Sequence, residues 1–181
     1  MLEAAGVPFA QIDTAIDEDA LKAQLRRQGA GAADLAIALA EGKALSAGSA
    51  GLVIGSDQTL ETDDGAMLDK PASPEDARSQ LRRLAGRTHR LHSAAAVVEE
   101  GAVAWRACET VSLTMRPLSD AFVEAYVREE FERIRWSVGG YLIESRGVQL
   151  FERIEGSHFA ILGLPLLPLL AYLRARKVLP S

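Results

Sequence analysis

The segment that most constrains the fold is the heptapeptide Gly-Leu-Val-Ile-Gly-Ser-Asp at residues 51–57. Three consecutive apolar residues, followed by a glycine, a small residue and an acid, predict a buried strand over 51–56 with Asp57 at its end. In α/β proteins a carboxylate at the end of a buried strand often binds a divalent cation or acts as a general base. The alternative is an ordinary solvated acid that follows the strand. The segment therefore favours an α/β protein and marks Asp57 as a candidate functional residue.

Helical and strand-like patterns alternate irregularly along the rest of the chain. Capping residues, first-turn acids and terminal glycines predict helices over 17–28, 34–47, 73–86, 119–130 and 166–176. Strands are predicted over 9–13, in two hairpins over 59–68 and 87–115, and over 148–154. This order indicates an α/β fold with a mixed sheet and flanking helices rather than a regular doubly wound sheet. With 181 residues, of which 48% are hydrophobic, we expect a single domain over 1–181, in which any second lobe is an insertion formed by the hairpin-rich and helical middle section.

Composition narrows the partners and the cellular location. The formal net charge of −5 lacks the positive footprint of a nucleic-acid-binding protein. The most apolar segment, residues 159–173, is shorter than the ~20 residues needed to cross a bilayer and contains prolines. Cys108 is the only cysteine, which rules out an intrachain disulfide and a cysteine-based zinc site. Since the N-terminus has no secretory pattern, we expect a cytoplasmic protein that binds neither nucleic acid nor membrane.

A lysine and an arginine follow Asp57 in an order that suggests a site for metal and phosphate. Lys70 stands in Asp-Lys-Pro at 69–71, where the proline restricts the backbone and the lysine can meet phosphate oxygens as a point charge. Arg87 follows the glycine that ends the third predicted helix, which sets it apart from the arginines of the solvated helix face. Each of these cations, and Lys43 in the alanine-rich second helix, could instead be an ordinary surface residue.

Three further acids are candidates for binding. Glu144 lies in Gly-Gly-Tyr-Leu-Ile-Glu-Ser-Arg-Gly at 139–147, and the flanking glycines indicate a loop that approaches a ligand closely. A carboxylate there can accept hydrogen bonds from the edge of a guanine base, or it can be a simple loop acid. Asp17 and Glu18 open the first predicted helix, either as helix-start acids or as metal ligands.

Seven segments together form a more specific pattern. They are GSDQ at 55–58, DKP at 69–71, LRRLAGRTH at 81–89, LSD at 118–120, GGYLIESRG at 139–147, LFERIEG at 150–156 and ILGLPL at 161–166. This combination resembles the Maf family of nucleoside triphosphate pyrophosphatases over nearly the whole chain. The resemblance implies an inosine-triphosphatase-like fold, with an elongated mixed sheet, flanking helices and two lobes around a cleft. It also implies cleavage of a nucleoside triphosphate to the monophosphate and pyrophosphate with Mg²⁺ or Mn²⁺, and it makes a homodimer plausible.

The resemblance also implies roles for individual residues. Asp57 matches the catalytic acid–base residue, which would orient the attacking water toward the α-phosphorus and help to hold the metal. Lys43 and Lys70 match family lysines near the phosphates. Asp17 and Glu18 match an acidic pair that would support the metal. These roles suit the chemistry, because an acidic protein must offset the charge of a triphosphate with a metal and local cations.

Two positions bear on the choice of base. The family's pyrimidine branch usually has threonine after the catalytic aspartate and glutamine in the later loop, whereas this chain has Gln58 and Glu144. That pair resembles the branch that acts on 7-methyl-GTP. A glutamate can accept hydrogen bonds from the guanine N1–H and amino group, and thymine and uracil lack that pair of donors. We therefore expect a modified purine such as 7-methyl-GTP as the preferred substrate.

The chain departs from the family pattern at its N-terminus. Family members begin with a strand and a Ser-x-Ser-x-Arg-Arg loop, whereas this chain begins at Met1, partway along the helix that follows. We expect the natural protein to be longer, because that loop would supply phosphate contacts and that strand would cover its neighbour in the sheet. The alternative function is a catalytically impaired nucleotide-binding or protein-interaction module derived from the same family.

Overall fold

The computed structural model describes residues 1–48 and 51–180 and confirms the α/β class. Its helices are α1 (Glu18–Arg27), α2 (Ala32–Ser46), α3 (Pro74–Leu84), α4 (Asp120–Ile134), α5 (His158–Ile161) and α6 (Leu166–Ala175). Its strands are β1 (Val53–Glu61), β2 (Met67–Leu68), β3 (Thr88–Glu99), β4 (Ala102–Met115) and β5 (Phe151–Glu155). Two short 3-10 helices, Val138–Gly140 and Arg146–Leu150, precede β5. Within the described residues, no helix has both the length and the apolar character required to cross a bilayer.

The strands form one five-stranded sheet in the order β2-β1-β3-β4-β5. β1 and β2 are antiparallel, with Leu60 opposite Leu68, and β4 and β5 are also antiparallel. β3 and β4 are joined by a two-residue turn in which Glu100 and Gly101 have φ values of 51° and 79°. Positive φ at both turn residues matches the right-handed twist of the flanking strands. The two hairpins predicted from the sequence are therefore confirmed.

Side-chain caps begin three of the helices at the predicted positions. The Asp17 carboxylate accepts a hydrogen bond from the backbone N–H of Ala20, at 2.9 Å, at the start of α1. The Ser73 hydroxyl accepts one from the backbone N–H of Asp76, at 3.1 Å, at the start of α3. The Ser119 hydroxyl accepts one from the backbone N–H of Phe122, at 3.2 Å, at the start of α4. Each cap satisfies a backbone N–H that has no partner inside the helix.

The strand predicted over 9–13 is wrong. This segment has no regular structure, and its apolar side chains Phe9 and Ile12 are 55% and 46% exposed. Both side chains line an apolar cavity of about 660 Å³ that is also lined by Leu52, just before β1, and by Ile54 of β1. The weak alternation of apolar residues therefore reflects a cavity wall rather than a buried strand face.

Two strand boundaries also need correction. β1 does not end before Asp57 but continues to Glu61, because it pairs with β2 beyond that acid. Asp57 consequently lies within a nine-residue strand rather than at its end. β5 begins at Phe151, later than the predicted residue 148, because a 3-10 helix occupies the preceding residues.

The described part of the chain divides into two compact units. Of the described residues, the first unit contains 1–48, 51–58, 92–109 and 157–180, and the second contains 59–91 and 110–156. α1, α2, α5 and α6 belong to the first unit, and α3, α4 and β5 belong to the second.

Helices cover both faces of β3 in the first unit. Leu169 of α6 packs in one apolar cluster with Val97, whereas Ala36 and Ala40 of α2 pack in another cluster with Ala94. Since side chains alternate along a strand, these two positions of β3 face opposite sides of the sheet. The alanines of α2 are small, so this helix can approach the sheet closely.

The second unit buries a histidine among aromatic rings. His89 Nε2 lies 2.7 Å from the Tyr141 hydroxyl, and the imidazole centroid lies 6.0 Å from the ring of Phe151. Burial lowers the pKa of His89 to about 4 and raises the pKa of Tyr141. His89 is therefore neutral at pH 7, and protonating it in this apolar environment is costly.

The stability of the protein should fall as the pH drops from about 6.5 to about 4. The unfolded chain binds a proton on His89 below about pH 6.5, whereas the folded protein binds it only below about pH 4. The contribution of His89 to the free energy of unfolding should therefore fall by about 2 kcal/mol between pH 7 and pH 5. Urea unfolding at both pH values measures the change.

Two variants isolate this contribution from other titrating groups. The fall of about 2 kcal/mol in the free energy of unfolding between pH 7 and pH 5 should disappear in His89→Gln. It should persist in His158→Gln, which changes an exposed histidine. An identical pH dependence in the wild type and His89→Gln would show that His89 is not its source.

Candidate active site

Three of the predicted site residues meet in the first unit. The Lys43 ammonium donates a hydrogen bond to Asp57 Oδ1 at 2.6 Å and lies 3.1 Å from Glu18 Oε1. The side chains of Asp57, Lys43 and Glu18 are 11%, 20% and 34% exposed, so solvent reaches the cluster mainly at Glu18. This cluster, called the Asp57 site below, joins β1, α2 and α1.

Backbone contact at Gly55 sets the distance between Lys43 and Asp57. A Cβ atom at Gly55 would lie 2.2 Å from the Ala40 carbonyl oxygen and 2.7 Å from the Ala44 amide nitrogen. Glycine therefore allows α2 to cross β1 with backbone against backbone. Lys43 lies in the helical turn that makes this contact. Asp57 is two residues along β1 and therefore lies on the same face as Gly55.

A second close approach brings Glu18 to Lys43. A Cβ atom at Gly42 would lie 2.4 Å from Ile16 Cδ1 and 3.3 Å from Leu21 Cδ2. These two apolar side chains flank Glu18 in the sequence, so their packing places the start of α1 against α2. The small residue next to Lys43 thus allows the second acid to reach the ammonium group.

Burial dominates the electrostatics of the central pair. It raises the pKa of Asp57, and the hydrogen bond and charge of Lys43 offset this effect only in part. Burial by itself would lower the pKa of Lys43, but the hydrogen bonds and charges of Asp57 and Glu18 outweigh it and the pKa is raised. Lys43 therefore stays a cation at neutral pH. Asp57 is a stronger proton acceptor than an exposed aspartate, as a general base requires.

Two carboxylates of the site fit a divalent metal ion. In the part of the chain that the structure describes, no three or more acidic, histidine or cysteine side chains converge as a metal site. Asp57 and Glu18 nevertheless each direct an oxygen at one cation, the Lys43 ammonium. Mg²⁺ often takes only one or two carboxylates and completes its shell with water and substrate phosphates. Asp17, also predicted as a ligand, instead directs its carboxylate to the Ala20 N–H, at 2.9 Å.

Gln58, the residue after Asp57, connects β1 to the end of α5. Its Nε2 atom lies 2.8 Å from Ser93 Oγ, and 2.9 Å and 3.1 Å from the carbonyl oxygens of Ala160 and Ile161. Because carbonyl oxygens only accept hydrogen bonds, the amide nitrogen must face them. The nitrogen of this predicted specificity residue is therefore engaged in holding β1 to α5.

The other three predicted residues belong to the second unit. Lys70 is exposed shortly after β2, and Glu144 is exposed between the two 3-10 helices. Arg87 is exposed just before β3, where its guanidinium lies 3.4 Å from Asp63 Oδ2. A ligand from solvent can reach all three side chains, and Arg87 would exchange its ion pair for the ligand.

Three residues that build the site were not among the predicted site residues. They are Gly42, Gly55 and Ser93. A glycine inside a strand or helix can mark a close backbone approach, so Gly55 near an alanine-rich helix was a usable signal. Ser93 is the polar member of an otherwise apolar run in β3, and a buried hydroxyl needs a partner. Its partner could not be identified from the sequence pattern.

Known proteins match nearly the whole chain. A family model described as Maf-like protein matches residues 1–176. A Sphingopyxis alaskensis protein named nucleoside triphosphate pyrophosphatase is 50% identical over 184 residues, which cover 100% of this chain and 93% of the relative. A Caulobacter vibrioides protein with the same name is 47% identical, with 96% and 88% covered. A Rhizobium meliloti protein named 7-methyl-GTP pyrophosphatase is 46% identical, with 96% and 88% covered.

The fold and the Asp57 site define an α/β protein with two carboxylates arranged around a lysine. With the family match and these relatives, the chain belongs to the Maf family. The family membership expected from the sequence segments is thus confirmed.

Proposed function

We propose that this protein is a metal-dependent nucleoside triphosphate pyrophosphatase that hydrolyses the bond between the α- and β-phosphates. The observation that carries the proposal is the Asp57 site, where a largely buried carboxylate, a lysine and a second carboxylate meet. The names of the relatives from S. alaskensis and R. meliloti support the same activity. The products would be the nucleoside monophosphate and pyrophosphate.

Asp57 is the general base of the proposed reaction. Its carboxylate accepts a proton from water while the water oxygen attacks the α-phosphorus, in line with the leaving oxygen. The bond from the α-phosphorus to the bridging oxygen breaks, and its electron pair leaves with pyrophosphate. Burial raises the pKa of Asp57 and so favours proton transfer to it.

Local cations offset the charge of the triphosphate. Lys43 offers a positive point charge to phosphate oxygens beside Asp57. A divalent ion held by Asp57 and Glu18 would supply further positive charge at the phosphates. Lys70 and Arg87 are further proposed phosphate ligands, since both are exposed cations.

We propose a modified guanine nucleotide, such as 7-methyl-GTP, as the preferred substrate. Glu144 is exposed in its loop and offers an acceptor for the guanine N1–H and amino group. The name of the R. meliloti relative supports this choice. Gln58 would act by holding β1 rather than through its amide nitrogen, which is already hydrogen-bonded.

A substrate panel tests both the reaction and the choice of base. With Mg²⁺ or Mn²⁺, pyrophosphate release should be fastest from 7-methyl-GTP when it is compared with GTP, dTTP and UTP. Glu144→Gln should lower kcat/KM for 7-methyl-GTP by about tenfold or more, because the glutamine amide keeps one acceptor oxygen but sets its NH₂ group against the second base donor. The value for dTTP should change by less than about twofold, since thymine lacks that pair of donors.

Glu132→Gln is the matched control, because it changes an exposed acid of α4 in the same unit. It should leave both kcat/KM values unchanged. Equal losses on 7-methyl-GTP and dTTP in Glu144→Gln would contradict a base-reading role. No turnover of any nucleotide with either metal would overturn the enzyme proposal in favour of a binding module.

A further inference from the structure

We propose that Lys43 holds the position of the divalent cation in the metal-free protein, and that metal binding transfers its ammonium group from the two carboxylates to the substrate phosphates. The inference rests on the proposed function, since it concerns the same site. It assigns Lys43 two successive partners rather than one fixed contact.

The geometry of the ion pairs is the first argument. Oxygens of Asp57 and Glu18 converge on the same atom, Lys43 Nζ, at 2.6 Å and 3.1 Å. A magnesium ion binds carboxylate oxygens at ~2.0–2.1 Å and would use these same oxygens. The ammonium and the metal cannot both lie between the two carboxylates. One must leave when the other binds.

Lys43 has the longest and most flexible side chain of the cluster. Asp57 is fixed within a strand of the sheet, and Glu18 lies in the first turn of α1. Lys43 has a flexible four-carbon side chain, and its ammonium is a strongly hydrated point charge that can change partners. Its side chain is 20% exposed, so the group has an outlet toward solvent. A rotation of the Lys43 side chain would therefore free the carboxylate oxygens for the metal.

The charge of the site favours the exchange. With Lys43 alone, two carboxylates face a single positive charge and the cluster stays net negative. With a divalent ion between the carboxylates and Lys43 beside it, the cluster becomes net positive. A triphosphate carries several negative charges, so only the metal-loaded arrangement attracts it.

A metal titration without nucleotide tests the exchange. Mn²⁺ binding is measured by the loss of the free-ion EPR signal in the wild type, Lys43→Met and Lys22→Met. Lys43→Met should bind Mn²⁺ at least about tenfold more tightly, because the competing cation is gone. Lys22 is the matched control, since it lies in α1 and its charge also acts on Asp57. Lys22→Met should tighten binding by less than about threefold, as a general loss of one charge would.

Several results of the titration would overturn the inference. Equal effects of the two lysine variants, weaker binding by Lys43→Met, or no Mn²⁺ binding by any form would each do so. Pyrophosphate release by the wild type, measured separately, distinguishes the two proposals. Metal-dependent turnover without tighter binding by Lys43→Met would refute the exchange and leave the proposed activity standing.

Amine labelling of the wild type gives a second test that does not depend on a variant. Acetic anhydride should modify Lys43 faster when Mg²⁺ is added, because its ammonium loses both carboxylate partners. Lys177, an exposed lysine after α6, is the internal reference and should react at a constant rate. Unchanged or slower labelling of Lys43 relative to Lys177 would contradict the exchange.

Discussion

Asp57→Asn should lower the rate of pyrophosphate release by about 10³-fold, because the amide cannot accept the proton of the attacking water. The fold should remain intact, since asparagine has the same shape and Lys43 keeps Glu18 as a partner at 3.1 Å. Steady-state kinetics with saturating Mg²⁺ measures the loss, and urea unfolding verifies the fold.

Asp13→Asn is the matched control for this prediction. It makes the same chemical change at an exposed acid of the first unit and should leave the rate unchanged. Retention of more than about a tenth of the wild-type rate by Asp57→Asn would remove Asp57 as the general base.

Gly55→Ala should destabilise the protein by about 3 kcal/mol or more and should also reduce turnover. The new Cβ atom would lie 2.2 Å from the carbonyl oxygen of Ala40, so α2 must move away from β1. Since Lys43 is carried by α2 and Asp57 by β1, this movement would lengthen their 2.6 Å contact. Urea unfolding and pyrophosphate release measure the two effects.

Gly42→Ala is the matched control, with a contact of similar length but different character. Its Cβ atom would lie 2.4 Å from Ile16 Cδ1, the end of a flexible side chain rather than a backbone atom. Alanine also favours the helix by about 1 kcal/mol over glycine. The net change in stability should therefore stay within about 1 kcal/mol. Wild-type stability and activity in Gly55→Ala would refute the role assigned to backbone contact.

Local signals predicted those elements whose cause is local. The start of α3 followed from a capping serine and a proline at the first helical position, and the structure shows that cap at Ser73. The course of β1 beyond Asp57 could not be predicted in this way. An acid, an amide and a threonine interrupt the apolar pattern there, whereas backbone pairing with β2 continues. Strand length in this case depends on a partner and not on side-chain periodicity.

The candidate site was predictable in part. Asp57 stood out from the strand pattern, but Lys43 reads as an ordinary helix lysine until its resemblance to a family position is considered. The contact between these residues spans 14 positions and depends on Gly55, which acts through space that only the tertiary fold defines. The hydrogen bonds of Gln58 likewise join residues that are far apart in the sequence, at Ser93 and Ala160.

Hydrolysis in water enriched in ¹⁸O tests the central claim most directly. The two products of 7-methyl-GTP cleavage are separated, and the isotope content of each is measured by mass spectrometry. Attack of water at the α-phosphorus predicts one labelled oxygen in the nucleoside monophosphate and none in pyrophosphate. Label in pyrophosphate, or release of orthophosphate in its place, would contradict an α-phosphorus reaction at the Asp57 site.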